Sequence, residues 1–482
     1  MIVRFQVINF RSLGSVELKL SGLTTLVGPN GAGKSSVVDG VRFLGDAVRH
    51  GLDAAVSERQ GFEPLRRWSR GHARDVSLSV DVETASGRQT WALALTADAV
   101  AGFRVKQESA HSYPWQHNFE RVSSRWAALQ ALLNSLADDD PQKMAVARQL
   151  SELGFSYKEE RDKLASFELK DGAWVNVPPP LVLGSRSLPP PTWRPALPEV
   201  AKISPPFRPL VDELSRVAVY SLFPPTLRQP QNPDLSRPMR RHGENWAGTL
   251  RGLDREREGA ELLAALSRIV GDIDDYRVTT AGGFLIPEFR HGVQNGRERW
   301  FGAAQESDGT LRIAALLTAL LQQPPPSLIG IEEPELAVHP GALPTLADYL
   351  KEAATRTQVV ITTHSPELLD LLPPESLRVV ERIDGATTVK ELAADQRTMI
   401  RERLFSTSEL LSAEGLRGEP GEGPPAGGGD ERGGEADDGQ GLLRRRGPRR
   451  RRGGAEPRQP TVVRSGVATR RLGHEALAWP GA

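Results

Sequence analysis

The chain has 482 residues, enough for two or three compact units, and 39% of them are hydrophobic, enough to bury a sizeable core. Its 61 Lys and Arg balance its 61 Asp and Glu, so overall charge steers it toward neither nucleic acid nor acidic membranes. The lack of cysteine excludes disulfides, thiolate zinc sites and cysteine nucleophiles and fits a reducing cytoplasm, while 37 prolines keep part of the chain out of regular structure.

Residues 1–45 read as strand, turn, strand, loop and helix. Met1–Val7 alternates like a strand and lacks the apolar stretch of a signal peptide. Val16–Leu20 alternates too, and Leu23–Val27 is a short β-prone run that stops at Gly28. From Lys34, Val37, Val38, Val41 and Leu44 recur at helical spacing. Residues 76–105 alternate again, through Val76, Leu78, Val80 and Val82 and then Trp91, Leu93 and Leu95, which predicts an antiparallel hairpin or meander. An apolar stripe predicts a helix over 126–136, and a second short helix is expected from Pro141 to Leu153. Prolines stud 177–230 and forbid long helices there. Residues 259–271 read as helix, and 275–300 as two strands around Gly282-Gly283.

Regular structure returns with a largely buried helix at 309–323, a buried strand at 328–331, a helix near 341–354, a strand at 359–362 and a helix at about 366–372. Strand–helix alternation of this kind predicts a parallel sheet with helices on its faces. From about Gly415, Gly, Pro, Glu and Asp dominate to residue 440, and seven arginines crowd into Arg444–Arg452, a composition unable to offset its ordering entropy. No run of about eighteen apolar residues occurs, so no membrane span is expected.

Gly28-Pro29-Asn30-Gly31-Ala32-Gly33-Lys34-Ser35 matches G-x-x-x-x-G-K-[ST], the P-loop. Glycines at these spacings let successive backbone N–H groups wrap phosphate oxygens, and the helix that begins here adds its positive dipole end. Lys34 would reach the β- and γ-phosphates and the Ser35 hydroxyl would complete a Mg²⁺ shell, with Ser36 as its neighbour. A β-prone run before the loop and an amphipathic helix after it weigh against a chance glycine-rich turn.

The strand at 328–331 ends in Glu332-Glu333-Pro334-Glu335. A carboxylate at the end of a buried parallel strand can hold Mg²⁺, the role expected of Glu332, and Glu333 next along is placed to polarise an attacking water as general base. The alternative is an acidic turn opening the next helix. His364 follows the second strand and can bond a γ-phosphate or the lytic water. Ser307-Asp308-Gly309 precedes the 309–323 helix; either Ser307 or Asp308 would make a good N-cap, or the segment grips a γ-phosphate from a second subunit, and spacing alone leaves both open.

Together these motifs resemble the ABC-type ATPases of the SMC/RecF/OLD group, closest to the AAA-type predicted ATPases of bacteria that carry E-E-P-E at Walker B. The likeness covers residues 1–45 and about 300–375. Asn9-Phe10-Arg11-Ser12-Leu13 looks like that group's N-terminal motif, which places Asn9, Arg11 and Ser12 beside the nucleotide, while Ser307–Gly309 stands at the signature loop and His364 at the switch histidine. His339 stands where the family usually has its D-loop aspartate. The resemblance implies an α/β P-loop NTPase with a two-lobed, SMC-head-like domain: an antiparallel β lobe, a largely parallel core sheet flanked by helices, and a helical, proline-rich insertion. It divides the chain into 1–110 and 291–410 as the two halves of the head, 111–290 as the insertion, and 411–482 as a tail.

The same resemblance implies ATP and Mg²⁺ as ligands and a homodimer that closes head to head on ATP. The hydrolytic cycle would act as a switch or motor in DNA-related or phage-defence processes, with an effector such as a nuclease as partner. DNA contact has no support from a basic stripe in the body, and no membrane role is expected. The other reading is an ATP-gated signalling module with negligible hydrolysis.

Overall fold

Among the described residues the alternating and β-branched runs assemble into one mixed sheet of thirteen strands, with helices on both faces of its parallel half, and two small separate antiparallel sheets, of two and three strands. The computed structural model describes residues 1–68, 75–114, 165–176, 182–183, 186–187, 194–234, 236–294 and 297–419. The helices expected at 126–136 and 141–153 and the arginine run at 444–452 lie outside them. In chain order the strands are β1 (Ile2–Phe10), β2 (Leu13–Lys19), β3 (Leu23–Val27), β4 (Val76–Thr84), β5 (Gly87–Asp98), β6 (Gly102–Pro114), β7 (Ala165–Lys170), β8 (Ala173–Asn176), β9 (Val182–Leu183) and β10 (Arg186–Ser187). There follow β11 (Val217–Tyr220), β12 (Asp275–Ala281), β13 (Phe284–Gln294), β14 (Arg297–Gly302), β15 (Leu328–Glu332), β16 (Gln358–Thr363), β17 (Leu377–Ile383) and β18 (Ala386–Glu391). The four longest helices described are α1 (Lys34–His50), α2 (Glu258–Ile269), α3 (Asp308–Leu321) and α4 (Leu343–Arg356).

The large sheet runs β11-β15-β16-β3-β17-β18-β2-β1-β4-β5-β6-β7-β8. From β11 to β17 every neighbour is parallel. From β1 to β8 every neighbour is antiparallel, the meander predicted from the alternation at 76–105. A single parallel register pair, Thr387 with Leu13, closes the ladder between β18 and β2.

The parallel strands are buried on both faces, as sheets flanked by helices must be. Leu328 and Val360 join the core on the α1 side, with Val38, Val41 and Phe5. Ile329, Ile331, Val359 and Ile361 join the opposite core with Leu317 of α3, Leu346 of α4 and Leu262 of α2. α1 lies tight on the sheet at Gly330, where a Cβ would stand 3.1 Å from Val38. Trp246 ties the small β12–β14 sheet to α3, its ring stacked on Phe289 and its Nε1 donating to Thr318 Oγ1 at 3.1 Å.

α1 also buries Asp39, Arg42 and Asp46, which pair with one another and with Arg59, as buried charges must. Arg59, almost wholly enclosed, donates to Asp39 Oδ1 at 2.9 Å and to Asp46 Oδ2 at 3.0 Å.

The structure differs from the sequence expectation at three places. β11 falls within residues 111–290, expected as an insertion, yet it forms the edge of the parallel sheet. Its four residues between proline-rich stretches are too few to show a period. A third strand, β14, joins the two expected over 275–300. The packed chain also runs past 411, where the tail was expected to begin: Leu410 and Leu416 pack with Leu369 and Leu377, and Gly418 bridges to Leu392. Among the described residues no helix is long and apolar enough to cross a membrane.

Glu108 of β6 is fully enclosed and accepts from Trp91 Nε1 at 3.0 Å, Ala196 N at 2.6 Å and Leu197 N at 2.9 Å. Burial pushes its carboxyl up from 4.5 to about 7 although all three donors favour the charged form. The folded state therefore holds this proton more tightly than the unfolded chain. The stability it contributes is present below pH 4.5 and lost as pH rises toward 7. Denaturant unfolding at about pH 5 and about pH 8 should show the wild type losing stability across that range, and Glu108→Gln removing most of the slope. The variant should be weaker overall, because its amide NH₂ faces an N–H donor.

Candidate functional site

β3 ends at Val27 and the chain turns through Gly28–Gly33 into α1. Two glycines are obligatory for steric reasons. A Cβ on Gly28 would fall 2.0 Å from the Val380 carbonyl of β17, and Gly33, at φ 107°, would drive one to 2.2 Å from Thr387 Oγ1. Pro29, Asn30 and Gly31 are exposed while Ala32 is buried, so the loop is anchored at its base and open on top. Lys34 is 6% exposed, with Nζ donating to the carbonyls of Gly28 at 2.7 Å and Pro29 at 3.1 Å. Desolvation pulls its pKa down, and the charges of Glu333 and Glu335 oppose that shift. Ser35 is exposed at the mouth of the loop.

The N-terminal motif braces this loop. Ser12 Oγ donates to Ser36 Oγ at 3.1 Å; Thr387 Oγ1 donates to the Ala32 carbonyl at 2.7 Å and lies 2.9 Å from Ser12 Oγ. Arg11, in a left-handed conformation at φ 50°, pairs through Nε with Asp39 Oδ2 at 2.9 Å. Asn9 is also left-handed, but its amide goes to the Asp75 carbonyl at 3.1 Å.

Strand register brings the acidic end to the same line. Thr363 pairs with Val27 and Thr362 with Leu26, while Glu332 pairs with Thr362 across β15–β16. The P-loop, His364 and Glu332-Glu333 therefore leave the carboxyl ends of neighbouring parallel strands, where ligands of open α/β sheets bind. Glu333 is held at φ 48°, a conformation costing a non-glycine residue about 1 kcal/mol or more. Its N–H donates to the Thr362 carbonyl at 3.0 Å, and its own carbonyl accepts from Arg312 Nη2 at 3.3 Å. So fixed, Glu333 Oε1 lies 3.6 Å from His364 Nε2, both side chains partly exposed. Glu332 Oε1 lies 3.5 Å from Arg241 Nη2.

Three side chains that the sequence reading did not single out complete the frame. Glu335 Oε1 accepts from Thr363 Oγ1 at 2.6 Å and from the His364 N–H at 3.1 Å, while its Oε2 is buried without a partner among the described residues. Arg312 and Arg241 grip Glu333 and Glu332. The third carboxylate was visible in E-E-P-E; the two arginines, Arg241 being one of a small basic pair that reads as solvated, carried no sequence signal for this role and are brought in by packing from α3 and from the 236–245 loop.

Ser307 is an N-cap: its Oγ accepts from the Thr310 N–H at 3.1 Å, and Asp308 pairs with Arg228 at 2.7 Å. Both are exposed. Gly309 abuts the backbone after Glu335, since a Cβ there would lie 2.5 Å from the Ala337 carbonyl. His339 caps the next turn, accepting from the Gly341 N–H at 3.1 Å.

Two cavities flank the P-loop. One of about 630 Å³ is walled by Gly28, Pro29, Thr363, His364 and Val380; the other, about 650 Å³, by Arg11, Ser36, Glu58, Arg66 and Trp68. Backbone N–H groups and Lys34 on one side and two carboxylates on the other suit a phosphate chain carrying a divalent cation. Among the described residues no three His, Asp or Glu side chains converge on a metal position. The side chains here that could hold a Mg²⁺ are Ser35 and Glu332, and this ion in nucleotide sites usually takes one or two protein ligands with phosphate and water oxygens.

Residues 190–370 match the family model described as "AAA domain, putative AbiEii toxin, Type IV TA system", and residues 4–62 one described as "AAA domain". No curated protein matches the chain. Similar solved structures include the Smc head bound to the C-winged helix domain of ScpA, at 13% identity and TM-score 0.47 over 82% of this chain and 99% of that one. Another is the Smc head with an extended coiled coil bound to the C-terminal domain of ScpA from Pyrococcus furiosus, at 10% identity and TM-score 0.42 over 84% and 99%. A third is the SMC head domain from Thermotoga maritima, at 12% identity and TM-score 0.38 over 82% and 99%. The two matched segments carry the two halves of the site, the P-loop in 4–62 and Glu332, Glu333 and His364 in 190–370, and each matches an AAA-domain model, the match expected of a nucleotide-binding ATPase.

Proposed function

We propose that the protein binds ATP with Mg²⁺ and hydrolyses it, and that two copies close head to head, each lending Ser307–Gly309 to the nucleotide on the other. The observation that carries this reading is the Glu333 carboxylate, set in a strained backbone and 3.6 Å from His364, on the strand ends beside the P-loop.

In this reading Lys34 leaves the Gly28 and Pro29 carbonyls for the β- and γ-phosphates, and the loop N–H groups replace phosphate hydration. Mg²⁺, when bound at Ser35 and Glu332, neutralises charge on the phosphate chain. Glu333 accepts the proton of the attacking water, while His364 holds that water or the γ-phosphate in line. Arg11 and Ser36, on the wall of the 650 Å³ cavity, face the nucleoside end. Ser307 and Asp308 are exposed and already ordered by their N-cap, so they can meet a partner's γ-phosphate with little further loss of freedom. The dimer then serves as a switch read by a partner macromolecule.

Glu333→Gln should keep ATP and lose turnover by about 100-fold or more, accumulating dimer by light scattering. Wild-type turnover in this variant would remove Glu333 as general base. Ser307→Arg should leave ATP binding to the monomer intact and abolish the ATP-dependent dimer; a normal dimer would sink the shared site. Arg241→Gln frees Glu332 from its guanidinium, so the Mg²⁺ concentration for half-maximal turnover should fall about two- to fivefold. An unchanged Mg²⁺ requirement would mean that Glu332 does not serve the metal.

A further inference from the structure

A cavity of about 370 Å³ lies between α1, the open edge of β11 and the loop at 236–244. That volume is at the small end of ligand pockets, which run from about 300 to 1,000 Å³. Five arginines line it, Arg42, Arg49, Arg237, Arg240 and Arg241, against the three carboxylates of Asp46, Glu58 and Glu244.

Two of the carboxylates are already paired with arginine, and the third, exposed Glu244, serves a backbone N–H. Asp46 Oδ2 serves Arg59 at 3.0 Å and Arg42 at 3.4 Å, Glu58 pairs with Arg42, and Glu244 accepts from the His242 N–H at 3.0 Å. Arg240 has its own partner in Asp234 at 2.9 Å.

Three guanidinium groups remain poorly matched. Arg49 donates to the Val217 carbonyl at 2.6 Å, but its carboxylate contact, to Asp46, is 3.8 Å long. Arg241 holds Glu332 at 3.5 Å, and Arg237 donates to the neutral Thr249 hydroxyl at 3.2 Å. Among the described residues no carboxylate lies within ion-pair distance of Arg237, and the Nε atoms of Arg49 and Arg241 are buried with no hydrogen-bond acceptor. Desolvation lowers the pKa of both Arg49 and Arg237, as expected for positive charge taken from water without full compensation.

Half-buried cations in this state favour a compact oxyanion, and guanidinium forks match phosphate oxygens in pairs. We propose that this cavity is a second anion site, separate from the P-loop, which takes a small phosphate-bearing molecule on Arg49, Arg237 and Arg241. On the reading given under Proposed function, such an anion would also compete with Glu332 for Arg241; the binding itself does not rest on that reading.

The test uses pyrophosphate as probe and the full chain carrying Lys34→Ala, which disables the P-loop. Calorimetry without divalent metal should show saturable binding that weakens as salt is raised. Adding Arg237→Gln should weaken it about tenfold, the loss of one charge-assisted contact, with the thermal midpoint reporting that the variant is folded. Arg237→Lys, which keeps the charge but loses the fork, should recover part of the affinity. Three results would overturn the site: no saturable heat in the Lys34→Ala chain, undiminished binding by the folded Arg237→Gln variant, or capture of an acidic peptide along β11 in place of pyrophosphate.

Discussion

Everything at the site depends on the register of three parallel strands. β3 is paired to β16 and β16 to β15 so that Val27, Thr363 and Glu332 fall at neighbouring strand ends. A register slip of one residue in either ladder would turn every side chain to the opposite face. It would bury Glu332 or strand Ile331 and Ile361 outside their core. The hydrophobic pattern that folds the sheet is therefore the same constraint that gathers chemistry from segments about 300 residues apart.

Within that frame the site is kept ready by contacts that no ligand supplies. Lys34 is parked on two carbonyls of its own loop, and Ser12, Ser36 and Thr387 tie the loop's base to β18 and to the turn after β1. On the acidic side, Arg312 and Thr362 fix the backbone of Glu333, and Glu335 fixes the N–H of His364. Positioning is thus done by neighbours while Glu333, His364 and Ser35 stay accessible.

Much of this was legible in the sequence because the P-loop and E-E-P-E are local. Each needs only adjacent residues and a strand before it, and the apolar runs at 23–27, 328–331 and 359–362 are strong enough to read singly. What escaped reading is non-local. β11 is four residues long and becomes a strand only by pairing with β15. Arg241 and Arg312 acquire meaning only when the 236–245 loop and α3 pack beside β15. Ser307 remained ambiguous for a different reason: an N-cap and a grip on another subunit's phosphate call for the same residue, and in a single chain the first is what its hydroxyl does.

The close approach of Gly309 to the Ala337 carbonyl leaves almost no slack between the start of α3 and the turn that follows Glu335. Both segments are rigid: one is the first turn of a buried helix, and the other is pinned by a left-handed Ala337 at φ 64°. Displacement of one must be felt by the other, because main-chain atoms cannot rotate aside as side chains do. On the proposed reading, the exposed Ser307–Gly309 segment is thereby geared to the state of Glu332 and Glu333 in the same molecule, a mechanical link that needs no intervening chain of residues.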